Sequence, residues 1–175
     1  MLRVVLSGVE SVGKSSLANW LARSFDGVRV PEFGRTYTEQ LGRDLLPEDH
    51  LAIAEGHVIA AEAAAESNPP VLVEDTDVVM TTAWTTMLFG FHDPILAAIP
   101  SRADLHLLLM PDVPFVQDKV RMFGADADRL RFHHIVEEEF RSRGIVPVRI
   151  SGSFPTRRRK AAAAVREKMA QKATQ

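Results

Sequence analysis

Apolar runs of strand length alternate along this chain with stretches in which apolar residues recur every three or four positions. The runs at Arg3–Ser7, Val28–Val30, Val71–Glu74, Leu105–Leu109 and Val146–Ile150 are too short for buried helices and read as strands. Between them lie four helical stripes: Leu17, Leu21 and Phe25; Leu51, Ala54, Val58 and Ala61; Val79, Met80, Ala83, Trp84, Met87 and Leu88; and Phe132, Ile135, Val136 and Phe140. Asn68-Pro69-Pro70 closes the second stripe, and Pro155, just after Ser153, suits the first turn of a final helix. Strands that are apolar on both sides and separated by helices predict a five-stranded parallel sheet with helices on both faces, an α/β three-layer fold. Right-handed crossovers then bring every loop at a strand's carboxyl end to one edge of the sheet.

The first of those loops carries the strongest chemical signal. Gly8-Val9-Glu10-Ser11-Val12-Gly13-Lys14-Ser15 fits G-x-x-x-x-G-K-[ST], between a strand and a helix. Glycines let the backbone curl until successive N–H groups and the helix N-terminus point at phosphate oxygens. Gly8, Glu10, Ser11, Val12, Gly13, Lys14, Ser15 and Ser16 are therefore the expected nucleotide contacts. Lys14 would reach the β- and γ-phosphates, and the Ser15 hydroxyl would join the shell of Mg²⁺, which keeps most of its water and needs few protein oxygens. The fold class becomes that of a P-loop NTPase, with ATP and Mg²⁺ as the expected cofactors.

Three further clusters fall on the same edge. Pro31-Glu32-Phe33-Gly34-Arg35 follows the second strand, and Glu74-Asp75-Thr76-Asp77 follows the third. Asp75 is placed to hold Mg²⁺ beside Ser15, or to take a proton from a substrate hydroxyl; Asp75 and Asp77 also suit the cap of the next helix. The stretch 112–131 reads as an arginine-bearing lid. Its best candidate for neutralising a transferring phosphoryl group is Arg121, with Arg129 and Arg131 following. His133 and His134 fall on the outer side of their helical pattern and read as surface residues.

Composition narrows what such a site can serve. A chain of 175 residues is of single-domain length, so residues 1–175 are read as one kinase domain. A net charge of −2 gives no basic field for nucleic acid or an anionic membrane, and the absence of cysteine excludes disulfides, thiolate metal sites and a cysteine nucleophile. No signal peptide is read at the start, and no stretch approaches the roughly 18 uninterrupted apolar residues of a membrane span. A cytoplasmic protein with a small-molecule partner is expected, homo-oligomerisation being left open.

Over nearly its whole length the chain resembles the ribosylnicotinamide kinase domain of NadR-type NAD-salvage proteins and its P-loop relatives. The likeness rests on G-V-E-S-V-G-K-S-S at 8–16, P-E-F-G-R at 31–35, V-E-D-T-D at 73–77 with T-T-A-W at 81–84, F-V-Q-D-K-V-R at 115–121 and R-F-H at 131–133. The resemblance implies an ATP- and Mg²⁺-dependent kinase acting on the ribose 5′-hydroxyl of nicotinamide riboside to give nicotinamide mononucleotide. It places Glu32 and Arg35 at the ribose, and gives Asp75 and Asp77 the metal, the nucleophile or the ribose hydroxyls. Either Glu32 or Asp75 is the base, with Asp75 favoured. Gly152, Ser153 and Phe154 lie where such kinases loop past adenine, and Arg158 matches a basic position beyond it. Arg157, Arg159 and Lys160 read as a solvated patch, since cations at a helix N-terminus gain nothing from its dipole.

The sequence departs from the family pattern at three points. Val30 and Pro31 stand where a tryptophan lies near the pyridine ring, and Phe115 and Lys119 replace a tryptophan and a glycine of the lid motif. Trp84 offers another ring face for a cationic pyridinium, and equally fits its helix's apolar stripe. Two other readings keep the phosphate loop: a kinase of another nucleoside or small metabolite, and a nucleotide-binding regulator acting through a protein partner. A second carboxylate cluster after the second strand favours a kinase over a switch. The N/T-K-x-D segment expected of a GTP-reading switch is absent from the sequence.

Overall fold

A computed structural model describes residues 1–115 and 125–174. The chain runs β1 (Leu2–Ser7), α1 (Lys14–Ser24), β2 (Val28–Val30), α2 (Phe33–Leu41), α3 (Pro47–Ala65), β3 (Val71–Asp75), α4 (Val78–Phe89), α5 (Pro94–Ala98), β4 (Leu105–Leu109), α6 (Asp126–Ser142), β5 (Val148–Ile150) and α7 (Phe154–Ala173). The five strands form one parallel sheet in the order β2-β3-β1-β4-β5. β1 is central: Leu6 lies beside Asp75 of β3 on one side and Leu107 of β4 on the other. The loop after β1 is thereby flanked by the ends of both neighbours.

Side-chain alternation sorts the layers. Val71 and Val73 join the main core with Leu17 and Leu21 of α1 and Ala161 and Val165 of α7, while Leu72 turns the other way to meet Ala61 of α3. α4 is buried over eight of its twelve residues, as befits a helix that is apolar nearly all round. Its threonines need no outside partner, because the hydroxyls of Thr81, Thr82, Thr85 and Thr86 each donate to the carbonyl four residues back.

The expected sheet is present, with local corrections. The fifth strand starts at Val148 instead of Val146, which is 89% exposed; Pro147 between them has no N–H for the ladder. α2 and α5 are additions to the sequence reading, each too short to show a full stripe. Gly42, at φ 69°, ends α2, and the Asp93 carboxylate caps α5 by accepting from the N–H groups of Ile95 and Leu96. His133 is not a surface residue. It is 5% exposed, 3.8 Å from Glu137, and burial holds its imidazole below the usual histidine range, whereas His134 is exposed. No helix among the described residues is long and apolar enough to cross a membrane.

Candidate active site

The phosphate loop is built from unusual backbone. Gly8 sits at φ 140°, where an added Cβ would lie 2.7 Å from the Leu109 carbonyl oxygen, so only glycine fits against β4. Ser11 at φ 63° and Gly13 at φ 86° complete the curl, and α1 begins at Lys14 with no acidic residue in its first turn. The helix N-terminus thus keeps its positive end open to an anion. The Lys14 ammonium donates to the carbonyl oxygens of Gly8 at 2.8 Å and Val9 at 2.9 Å, folded over the loop it is meant to serve.

Two carboxyls follow the neighbouring strands, Asp75 at the end of β3 and Glu32 after β2. Asp75 ends β3 with no exposure; one oxygen accepts from Arg29 at 2.9 Å, and Oδ1 has no hydrogen-bond partner among the described residues. Glu32 lies at the N-terminus of α2, and burial pushes its carboxyl above the ordinary value, with nearby Lys14 opposing and Asp75 reinforcing the shift. Thr76, next to Asp75, adopts φ 76°, a left-handed conformation that typically costs about 1–3 kcal/mol for a residue with a side chain.

A cleft of about 200 Å³ joins Lys14, Glu32 and Thr76, while Asp75 lies behind Thr76 and is not among the lining residues. One end is the phosphate loop, from Glu10 to Ser16; Glu32, Gly34, Arg35 and Thr76 lie between; Leu45, Ile53, Met80, Trp84 and Leu88 form an apolar far end edged by Thr38, His50 and Thr81. Trp84 lines this chamber and also packs on Phe132 at 4.2 Å between ring centroids. His50 is buried with its ring edge-on to Phe89 at 5.5 Å, and desolvation holds it below the usual histidine range.

The chamber wall depends on the corner between α2 and α3. There Asp49 accepts from Tyr37, from both guanidinium nitrogens of Arg43 and from the Leu46 N–H, which holds its carboxyl well below the usual range. A depressed carboxylate contributes stability above its unfolded pKa, and the contribution fades as pH falls through the folded one. Asp49→Asn is expected to lower the melting midpoint at neutral pH. The gap from wild type should narrow as the buffer is taken from about pH 4 towards pH 2, because the unfolded chain then takes up a proton that the folded carboxylate resists.

Other sequence candidates are placed away from the cleft lining. Asp77 caps α4, accepting from the Val79 N–H at 3.1 Å and from the Ser101 hydroxyl at 2.5 Å. Arg129 lies in the first turn of α6, buried, donating to the Val113 carbonyl at 3.0 Å with its guanidinium 5.8 Å from the Phe115 ring centroid. Lid residues 116–124, Arg121 among them, lie outside the described residues. Gly152 and Ser153 form the turn into α7, Phe154 approaches Gly13, and Arg158 lies over the rings of Phe154 and Trp20 at 4.5 and 5.4 Å. Arg159 and Lys160 are exposed, but Arg157 is not part of a solvated patch: it is 1% exposed. Its spacing gave the signal, since Arg157, Ala161 and Val165 share one helical stripe and all three are buried.

A family model described as an AAA domain matches residues 3–157. The chain belongs to this AAA domain family. It is also 35% identical over 153 residues to the trifunctional NAD biosynthesis/regulator protein NadR of Escherichia coli (strain K12), and 34% identical over 148 residues to the protein of the same name from Salmonella typhimurium. These matches cover 84% and 81% of this chain but 37% and 36% of the relatives, so the chain spans less than two-fifths of their length. Among solved structures, a NadR protein in complex with NR superposes with a TM-score of 0.81 at 24% identity, covering 97% of this chain and 52% of that one. A NadR protein in complex with NAD and AMP-PNP gives 0.73 over 97% of this chain and 49% of that one, again at 24% identity. Thymidylate kinase from Ehrlichia chaffeensis gives 0.55 at 12% identity over 87% of this chain and 89% of that one. The shared architecture is an α/β P-loop NTPase fold.

Proposed function

We propose that this chain transfers the γ-phosphoryl group of ATP to the ribose 5′-hydroxyl of nicotinamide riboside, giving nicotinamide mononucleotide for NAD salvage. The observation that carries the reading is the single cleft lined by an anion-binding loop, by the Glu32 carboxyl with Arg35, and by an apolar group that includes Trp84. A pure nucleotide switch has no use for the chamber or for a carboxyl after β2. The matches to NadR proteins, one of them solved with NR, support a nicotinamide-bearing acceptor.

The residues divide the work by their environments. The N–H groups at the start of α1 and the Lys14 ammonium receive the charge that gathers on the phosphoryl oxygens. Ser15 and Asp75 would hold Mg²⁺, and the buried Oδ1 of Asp75, with no partner among the described residues, suits a cation or its water. When bound, the metal draws charge from the β- and γ-phosphate oxygens. Glu32 is the base. It lines the cleft, and its raised pKa favours proton uptake as the acceptor oxygen forms its bond to phosphorus and the bond to the β-phosphate oxygen breaks, leaving ADP. Arg35 and Trp84, both lining the cleft, hold the acceptor, Trp84 offering a π face to a pyridinium cation.

The test is ADP release from Mg-ATP across a panel of nucleosides that includes nicotinamide riboside. Release with that riboside well above adenosine, cytidine and thymidine is expected. Release independent of any acceptor would make the chain an NTPase, and release with another nucleoside alone would replace the acceptor.

A further inference from the structure

The largest of the fully buried side chains described is an arginine, Arg157 of α7. Its Nε donates to the Gly152 carbonyl at 2.8 Å, one terminal nitrogen to the Val12 carbonyl at 3.1 Å, and the other to the Met110 carbonyl at 2.9 Å and to the Asp112 carboxylate. The second oxygen of Asp112 accepts from the Gly152 N–H at 2.6 Å. These partners sit on three separate segments: the phosphate loop, the chain leaving β4 towards the lid, and the turn into α7. An apolar side chain of similar volume would fill the same space without the desolvation of a buried charge. What it could not do is fix three backbone segments at once, which a rigid planar fork with five N–H donors can.

We propose that Arg157 is a positioning residue for nucleotide binding, holding the phosphate loop and the turn at Gly152 and Ser153 in one register so that both ends of an adenine nucleotide meet preset backbone. The proposal rests on the functional reading only in that a nucleotide spans the two loops. Asp112 is the convenient handle, because its side chain is 40% exposed while that of Arg157 is fully buried.

The test compares wild type, Asp112→Ala, Asp112→Asn and Arg157→Lys in calorimetric titrations with Mg-AMP-PNP and, separately, with inorganic tripolyphosphate, which engages the phosphate loop alone. Asp112→Ala should lower the melting midpoint, because it leaves the Arg157 charge buried without its carboxylate, and at a temperature where it stays folded it should weaken AMP-PNP roughly tenfold while tripolyphosphate affinity holds within error. Asp112→Asn, which keeps an acceptor oxygen, should recover part of the loss, and Arg157→Lys should follow Asp112→Ala if it folds. Equal weakening of both ligands, or of neither, in Asp112→Ala overturns the proposal while leaving the kinase reading intact. Wild type that binds neither ligand removes both.

Discussion

Lys14→Ala is expected to lower turnover a hundredfold or more, a loss of roughly 3 kcal/mol or above in transition-state stabilisation. An ammonium has three N–H donors, and two already rest on the carbonyl oxygens of Gly8 and Val9. The loop therefore holds the cation in place before any phosphate arrives, with a donor left for the γ-phosphoryl oxygens. Little of that arrangement is needed for folding, because Lys14 is only half-buried and the core beneath it is made by Val12, Leu17 and Ala18. The variant should melt close to wild type and keep its KM for the acceptor. Steady-state ADP release at saturating substrates measures the effect, and turnover within tenfold of wild type would exclude the role given to the loop.

Replacing each carboxyl separately should give two different phenotypes. Glu32→Gln removes the proton acceptor and is expected to cost on the order of a hundredfold to ten-thousandfold in kcat, with ATP affinity retained. The pH profile adds a sharper check. Burial and the neighbouring Asp75 raise the Glu32 carboxyl above its ordinary value of 4.5, so wild-type activity should fall as pH drops through a midpoint above that value, where the base becomes protonated. Asp75→Asn removes one cause of the elevation. Its residual activity should therefore show the acid limb displaced to lower pH, together with a higher Mg²⁺ requirement. An unmoved acid limb in Glu32→Gln would return the role of base to Asp75.

The sequence revealed these elements to different extents, and physical reasons set the difference. β1, β3 and β4 were readable because the central strands of a parallel sheet are apolar on both faces, as in Val4-Val5-Leu6 and Leu107-Leu108-Leu109. The phosphate loop was readable because close backbone approach demands glycine at fixed offsets. α2 escaped because Phe33–Leu41 is only nine residues long with none of them fully buried, so its short row of Phe33, Tyr37 and Leu41 did not stand out from the loop after β2. The chamber escaped for another reason: Leu45, Ile53, Met80 and Leu88 look like ordinary core residues, and only the packing of α2, α3 and α4 leaves a space between them. Arg29 reaches Asp75 across the pairing of β2 with β3, a neighbour relation invisible in the order of residues. Arg157, Arg159 and Lys160 were read together as solvent-facing because cations gain nothing at a helix N-terminus, yet helical phase turns the first of them inward.

The strand order carries a consequence for how the molecule is assembled. Although the nucleotide loop is written within the first sixteen residues, β1 lies between partners that come from positions 71–75 and 105–109, and Gly8 is seated against Leu109. Val12 waits longer still, for a donor at position 157. On a ribosome the earliest part of the site to be made is thus the last to be secured, since pairings distant in sequence form slowly. Triphosphate protection of a nascent chain should begin only after α7 has cleared the exit tunnel.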